Sequence, residues 1–178
     1  IQMECSGADL SATALFLRAA GIHGNVSVRD VINTYIFPNT LVVKKITGRT
    51  LREYLEYDMN FWCEKDGKVA INPLYDFPNP QHHNYDMLDG VEYEADISRP
   101  LGQRLVALRR NGREVSDDDE FTIVMNNYRA SGGGGFDMIR KSETVREIPV
   151  SVSDLICEYI KEKRTVDFED VNNITVHG

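Results

Sequence analysis

Residues 120–136, EFTIVMNNYRASGGGGF, place a strand-like segment directly before four consecutive glycines. The β-branched and aromatic residues from Phe121 to Met125 predict a strand. Glycine lacks a Cβ, so the backbone that follows can adopt positive φ and approach another group closely. The run therefore predicts either a loop that faces a ligand or a plain tight turn.

Neither common glycine-rich phosphate motif matches this run. A P-loop requires a Lys followed by Ser or Thr at a fixed spacing, and none follows the glycines. A dinucleotide-binding fingerprint requires a Gly where Asp137 stands. What remains is a backbone that can adopt positive φ and approach another group closely.

Composition indicates one globular domain. The chain has 178 residues, of which 42% are hydrophobic and 27% charged, with a net charge of −8. This charge argues against duplex nucleic acid and anionic membranes as partners. No apolar run approaches the roughly 20 residues of a membrane span. The chain starts at IQMECSGADL, without Met, and we interpret it as a piece of a longer protein.

The order of predicted elements is typical of an α+β fold. Helices are predicted over residues 6–21, 27–36, 51–62 and 150–163, with Ser27, Thr50 and Ser151 as N-caps. Strands or hairpins are predicted over residues 40–46, 64–71, 91–98, 104–115, 120–128 and 171–178. The Pro- and Asn-rich segment between residues 72 and 90 is long and irregular, which is common for functional or disordered segments.

The residues form no self-sufficient catalytic set. His82 and His83 are adjacent, so in extended chain they point to opposite sides and would rarely bind one metal ion together. No zinc or calcium spacing and no Gly-x-Ser-x-Gly motif occurs. Three widely spaced cysteines argue against a disulfide framework. We expect no catalytic residue, metal ligand or cofactor in this chain.

Two aromatics near irregular backbone, Tyr85 and Phe136, are candidates for binding a planar base. Rings from separate loops can sandwich a base, and each stack contributes about 1–3 kcal/mol. Alternatively, either ring belongs to the core. An open slot between them would favour binding, whereas burial of both would favour a domain that only contacts its partners.

Three stretches resemble the C-terminal domain of 5′-nucleotidases. NNYRASGGGGF is similar to that family's signature, Asn-x-x-Ala-x-Gly-Gly-Asp-Gly-Phe, at Asn127, Ala130, Gly132, Gly133, Gly135 and Phe136. The segments DVINTYIFPNTLVVKKITGRTLREYLE and HHNYDMLDGVEYEADISRPLGQRLVAL resemble two further parts of the family sequence. TYIFPNTL and NYDMLDG are most similar to its 2′,3′-cyclic-nucleotide 2′-phosphodiesterase/3′-nucleotidase branch.

The resemblance implies that residues 1–178 are one nucleotide-binding domain with mixed and antiparallel sheets flanked by helices, in α/β/β/α layers. It also implies a larger extracellular, periplasmic or cell-wall-associated hydrolase of nucleotide catabolism. An N-terminal metallophosphoesterase domain, absent here, would hold two divalent metals and cleave the phosphate ester. This chain alone would be inactive and would bind a nucleoside or nucleotide.

The resemblance also assigns the site. Tyr85 and Phe136 match the two stacking rings, Asn127 and the Gly132–Gly135 loop match the pocket wall, and Asn39 matches a turn near the sugar and phosphate. Arg129 could contact an anion or form a surface salt bridge. The alternative is a structural or interaction domain that has lost ligand binding.

Two departures from the family favour the cyclic-phosphodiesterase branch over a 5′-nucleotidase. The family's Gly-Gly-Gly-Ile-Arg is replaced by a stretch without Arg, from Gly7 to Ser11. Gly134 stands where the signature has Asp.

Overall fold

The computed structural model of the chain describes residues 1–17, 19–167 and 171–178. The α-helices among them are α1 (Gln2–Ser6), α2 (Val28–Thr34), α3 (Gly48–Asp58), α4 (Asn127–Ala130), α5 (Asp137–Lys141) and α6 (Val152–Lys163). The strands are β1 (Leu10–Ala14), β2 (Leu41–Thr47), β3 (Trp62–Lys65), β4 (Lys68–Ile71), β5 (Asp86–Asp89), β6 (Glu92–Asp96), β7 (Leu105–Arg110), β8 (Arg113–Glu114), β9 (Glu120–Asn126), β10 (Glu143–Ile148) and β11 (Ile174–His177). Short 3₁₀ turns cover Met59–Phe61, Pro73–Tyr75, His82–Asn84 and Gly133–Gly135.

A mixed five-stranded sheet organises the fold, with the strand order β10-β2-β9-β1-β5. β1 runs parallel to β9, and the other neighbours are antiparallel. A second sheet has the order β11-β6-β7-β8, and β3 pairs with β4 in a separate hairpin. The α+β prediction is therefore confirmed.

Both faces of the five-stranded sheet are covered. On one face, Leu41, Val43 and Val124 pack against Val152 and Leu155 of α6. On the other, alternate residues of the same strands join α3 and the second sheet in the main core, which includes Val42, Ile123, Leu51, Tyr54, Leu55, Tyr93 and Leu108. The period-2 alternation of each strand directs successive side chains to these two cores.

Most predicted elements are present. The second and fourth helices begin after Ser27 and Ser151, whose side chains accept hydrogen bonds from the amides of Asp30 and Asp154. The two predicted hairpins turn at Asp66–Gly67 and Asn111–Gly112, with positive φ at all four residues. The strand predicted at the C-terminal end is β11, which runs parallel to β6.

The helix predicted over residues 6–21 is wrong, because this segment contains β1. β1 lies between β9 and β5, and Leu10 and Ala12 are almost completely buried. The carboxylate of Asp9, just before β1, accepts hydrogen bonds from the amide and hydroxyl of Thr122 on β9. Two ladders of backbone hydrogen bonds outweigh the local helical preference of the sequence. Arg18 lies outside the described residues.

The third predicted helix starts earlier than expected. Its N-cap is Thr47, whose hydroxyl accepts a hydrogen bond from the amide of Thr50, and Gly48 is already helical. A Cβ at Gly48 would lie against the carbonyl oxygen of Ser116. Glycine therefore allows close packing at the junction between β2 and α3.

Candidate functional site

The glycine run lacks side chains because other groups occupy that space. A Cβ at Gly133 would lie 2.5 Å from the Tyr128 ring. The backbone at Gly133 therefore packs directly against this ring. A Cβ at Gly134 would lie 2.5 Å from Nη1 of Arg129. Both Tyr128 and Arg129 belong to α4, which directly precedes the loop. The glycines thus support the side chains of α4.

Phe136 has no face open to a ligand in this structure. It is fully buried, and its ring contacts those of Tyr54 and Tyr57 at centroid distances of 4.7 and 4.8 Å. The guanidinium of Arg129 covers a further part of the ring. Phe136 is consequently a core residue rather than a wall of a base slot.

Tyr85 also packs within the protein. Its half-buried ring stacks on Phe61 with a centroid distance of 5.1 Å and meets the edge of Trp62. The prediction that Tyr85 and Phe136 together sandwich a base gains no support from this geometry, because each ring packs against other protein rings. The residue types were suited to stacking, but their partners are protein rings.

Arg129 is buried and paired, which excludes the predicted surface salt bridge. Its Nε donates to Oδ2 of Asp86 at 2.6 Å, and its Nη2 donates to Oδ1 of the same carboxylate at 3.0 Å. Nη2 also donates to the carbonyl of His83, and Nη1 donates to the carbonyl of Gly133. Both members of the ion pair are less than 5% exposed. Such a bidentate pair holds a charged side chain in one orientation.

Two further titratable groups lie behind this pair. The hydroxyl of Tyr54 donates to Asp86, and Oδ1 of Asp58 accepts a hydrogen bond from the Asp86 amide. Burial, reinforced by the Asp86 carboxylate, raises the pKa of Asp58 well above its ordinary value of 3.8. The same two causes raise the pKa of Tyr54. Asp58 therefore resists ionisation, and the ion pair at this site is the one between Arg129 and Asp86.

A cavity of about 180 Å³ opens beside the ion pair. Its lining consists of Ala14, Phe16, Phe37, Asn39, His83, Asp86, Asn126, Tyr128 and Arg129. Phe37 and Tyr128 are 47% and 44% exposed, so each presents ring surface to solvent. One side of Tyr128 is occupied by the glycine loop, and Phe37 is held edge-on by Phe16 at 4.9 Å. Two supported rings therefore flank one cavity.

Asn39 lines this cavity, and Asn127 holds its turn in place. Oδ1 of Asn127 accepts a hydrogen bond from the amide of Thr40, and the amide of Asn127 donates to the carbonyl of Thr40. The carbonyl of Asn39 accepts from the amide of Val152 at the start of α6. Asn127 thus ties the turn that carries Phe37 and Asn39 to the end of β9.

His83 also lines the cavity, and it lies in the 3₁₀ turn before β5 rather than in the turn that carries Phe37 and Asn39. Its ring meets that of Tyr128 edge-on at 6.3 Å. Burial, followed by the charge of Arg129, lowers the pKa of His83 below its ordinary value of 6.5. A neutral imidazole offers one hydrogen-bond donor and one acceptor to the cavity.

The sequence-based site included two of the nine lining residues, Asn39 and Arg129, and missed the other seven, among them Phe37, His83, Asn126 and Tyr128. Tyr128 lies within the glycine-rich stretch itself, and Phe37 lies in the YIFPNT turn. In the sequence, only the position of Tyr128 and Phe37 next to turn-forming residues indicated that these two rings could lie at a site. Choosing among several aromatics required knowing which rings are buried.

Metal-ligand clusters and membrane-spanning helices are both absent from the described residues. They contain no group of three or more His, Cys, Asp or Glu side chains able to hold a metal ion. They likewise include no helix with the length and apolar character needed to cross a bilayer.

Comparison with known proteins agrees with the motif resemblance. The sequence profile of the 5′-nucleotidase C-terminal domain matches residues 1–141. The chain is 28% identical over 165 residues to the trifunctional nucleotide phosphoesterase protein YfkN of Bacillus subtilis, covering 86% of this chain and 11% of that protein. It is 32% identical over 152 residues to the 2′,3′-cyclic-nucleotide 2′-phosphodiesterase/3′-nucleotidase of Haemophilus influenzae, covering 78% of this chain and 23% of that protein.

Solved structures share the fold. A Staphylococcus aureus protein assigned as a 5′-nucleotidase, crystallised with alpha-ketoglutarate, superposes with a TM-score of 0.94 at 36% identity. That match covers 99% of this chain and 35% of the other. The 5′-nucleotidase precursor of Thermus thermophilus has the same fold at 20% identity, with a TM-score of 0.73 over 99% of this chain and 33% of the other. The chain thus spans about a third or less of these relatives, and it belongs to the 5′-nucleotidase C-terminal domain family.

Proposed function

We propose that this chain is the nucleoside-binding domain of a metal-dependent nucleotide phosphoesterase, and that the cavity between Phe37 and Tyr128 binds the base. The observation that carries the proposal is the pair of exposed, well-supported rings on one cavity. Aromatic rings contribute about 1–3 kcal/mol for each base that stacks on them. The proposal keeps the stacking function expected from the sequence and assigns it to different rings.

The polar groups of the cavity suit an uncharged heterocycle. Asp86 and Arg129 neutralise each other, and both carboxylate oxygens are already engaged. Other polar side chains of the lining are those of Asn39, Asn126 and His83, and none of them carries a charge at neutral pH. Oδ1 of Asn126 already accepts a hydrogen bond from the amide of Arg129, so this residue offers a ligand mainly its amide donors. Amides and neutral imidazole pair well with the donors and acceptors on a base edge.

The size of the cavity also favours a base over a whole nucleotide. Pockets for drug-sized ligands usually enclose about 300–1,000 Å³, and this cavity encloses about 180 Å³. In the proposed complex the sugar and phosphate extend out of the cavity. The phosphate then remains accessible to a separate catalytic unit.

That catalytic unit is proposed to be an N-terminal metallophosphoesterase domain with two divalent metals. The described residues of this chain offer no cluster of metal ligands, so no metal-dependent step is assigned to them. The relatives' names suggest 2′,3′-cyclic, 3′- or 5′-phosphate esters as substrates. An extracellular, periplasmic or cell-wall-associated location is part of the same proposal.

Titration of the 178-residue chain with adenosine, uridine and inorganic phosphate tests the base site. Chemical shifts of the Phe37 and Tyr128 rings should change with a nucleoside and not with phosphate. Ligand at about 1 mM detects binding free energies near −4 kcal/mol or stronger. Phe37→Ala and Tyr128→Ala should each weaken binding, whereas Leu74→Ala, at a position 79% exposed and outside the cavity, should not.

Unchanged spectra for every nucleoside would favour the alternative, an interaction domain without ligand binding. The chain should also release no phosphate from a nucleotide when Mn²⁺ or Zn²⁺ is added. Sustained hydrolysis by the chain alone would contradict the assignment of catalysis to another domain.

A further inference from the structure

We propose that Arg129 is a positioning residue for the base cavity, and that Gly134 supplies the space that this arginine requires. The inference rests on the proposed function, since it explains how the cavity is held ready for its ligand. It assigns no direct ligand contact to the guanidinium.

Arg129 uses almost all of its side-chain donors within the protein. A guanidinium has five N–H donors, and four of them bond to the protein: Nε and one Nη2 proton to Asp86, the other Nη2 proton to the His83 carbonyl, and one Nη1 proton to the Gly133 carbonyl. Little donor capacity is left for a phosphate. The side chain therefore acts on other parts of the protein.

These hydrogen bonds connect the His83 turn and the glycine loop to β5. The His83 carbonyl belongs to the 3₁₀ turn that presents the His83 ring, and the Gly133 carbonyl belongs to the loop that supports one side of Tyr128. Asp86 begins β5, a strand of the main sheet. Arg129 thus fixes two irregular segments, each carrying or supporting a ring at the cavity, to one rigid strand. Loops without such ties open at low free-energy cost.

Gly134, at the position where the resembled signature has Asp, leaves space for the side chain of Arg129. Its φ is +75°, which glycine adopts without strain. A Cβ here would lie 2.5 Å from Nη1 of Arg129 and closer still to Oδ1 of Asn84. An Asp side chain therefore cannot share this space with the guanidinium. The side chain of Arg129 thus depends on the absence of a Cβ at Gly134.

Gly134→Ala and Gly112→Ala test the space requirement as a matched pair. Gly112 has a φ of +74°, and no atom lies within 4 Å of an added Cβ. The two positions have nearly the same positive φ, but only Gly134→Ala places a Cβ against Arg129 and Asn84. We expect adenosine to bind about tenfold more weakly to Gly134→Ala, with wild-type affinity for Gly112→Ala. Equal affinities of the two variants would overturn this part of the proposal.

Arg129→Lys keeps the charge and removes the fork that reaches acceptors on three residues at once. We expect weaker adenosine binding and hydrogen exchange at least about tenfold faster for the amides of Tyr85, Gly132 and Gly135. Strand amides in β2 and β9 should exchange at the wild-type rate. Faster exchange across the whole protein would mean general destabilisation and would overturn a specific positioning role.

The double variant Asp86→Asn/Arg129→Met avoids a buried unpaired charge if Arg129→Lys does not fold. It should show the same localised exchange. If wild type fails to bind any nucleoside, the proposed function fails, yet the exchange measurements still decide whether Arg129 positions these segments. Wild-type exchange at these amides in both variants would overturn the positioning role.

Discussion

The guanidinium carbon of Arg129 lies 3.9 Å from the centroid of the Phe136 ring. A cation at this distance is attracted by the electron-rich face of the ring. Burial lowers the pKa of Arg129, but the Asp86 carboxylate more than offsets this effect, so the net change is upward and the side chain stays charged. The ring surface that the resemblance assigned to a base is thus covered by a cation of the same chain.

Phe136→Ala should destabilise the fold rather than affect binding alone. The ring is fully buried between Tyr54, Tyr57 and Arg129, and removing a buried Phe typically costs about 3–5 kcal/mol. Urea unfolding measures the loss. Phe77→Ala is the control, since Phe77 is 80% exposed and its removal should leave stability nearly unchanged. A Phe136→Ala protein as stable as wild type, but unable to bind a nucleoside, would restore the original assignment.

Asn127→Ala should weaken nucleoside binding with a small cost in stability. The variant removes the acceptor for the Thr40 amide and frees the turn that carries Phe37 and Asn39. Loss of one hydrogen bond costs about 1 kcal/mol. Calorimetric titration with adenosine and urea unfolding separate the two effects. Exposed Asn25 provides the control substitution, and identical affinities for Asn25→Ala and Asn127→Ala would contradict a role for this bond.

Protonation of His83 should lower the free energy of unfolding in acid. Its pKa is lowered from 6.5 by burial and by Arg129, so the unfolded chain binds a proton at this residue more readily. The stabilising contribution is complete above about pH 6.5 and is lost as pH falls through the lower, folded-state pKa. His83→Gln should flatten the stability profile in this window, as measured by urea unfolding. The control is exposed His23→Gln, and a profile unchanged by His83→Gln would rule out this titration.

Asp58→Asn should stabilise the protein as pH rises. The pKa of Asp58 is raised in the folded state by burial and by Asp86, so its contribution is present below the unfolded value near 3.8 and is lost as pH rises through the folded pKa. An amide keeps the acceptor for the Asp86 amide and does not ionise. The free energy of unfolding of Asp58→Asn relative to that of wild type should therefore increase as the pH rises above the unfolded value near 3.8. The increase should be at most about 1.4 kcal/mol per pH unit.

Urea unfolding from about pH 4 to pH 8 measures this difference, with exposed Asp118→Asn as the control. A constant difference between Asp58→Asn and wild type over that range would show that Asp58 ionises normally in the fold.

Local sequence was sufficient for the elements whose signals lie within a few residues. Ser27 and Ser151 mark helix starts because an N-cap needs only a side-chain oxygen near the next amides. Asp66–Gly67 and Asn111–Gly112 mark hairpins because these residues tolerate positive φ. The glycine-rich signature likewise indicated the family, since it records a backbone path that few residues allow.

Tertiary structure decided the points that depend on distant partners. Residues 10–14 form a strand because β9 and β5 supply hydrogen bonds on both sides, and no local pattern reports those neighbours. The same holds for the site. Phe136 is buried and Tyr128 is exposed within one short stretch, because Arg129 turns inward to Asp86, 43 residues away in sequence. The sequence alone determined the family and the presence of a ring beside the glycines, whereas long-range packing and charge pairing determined which ring faces the cavity.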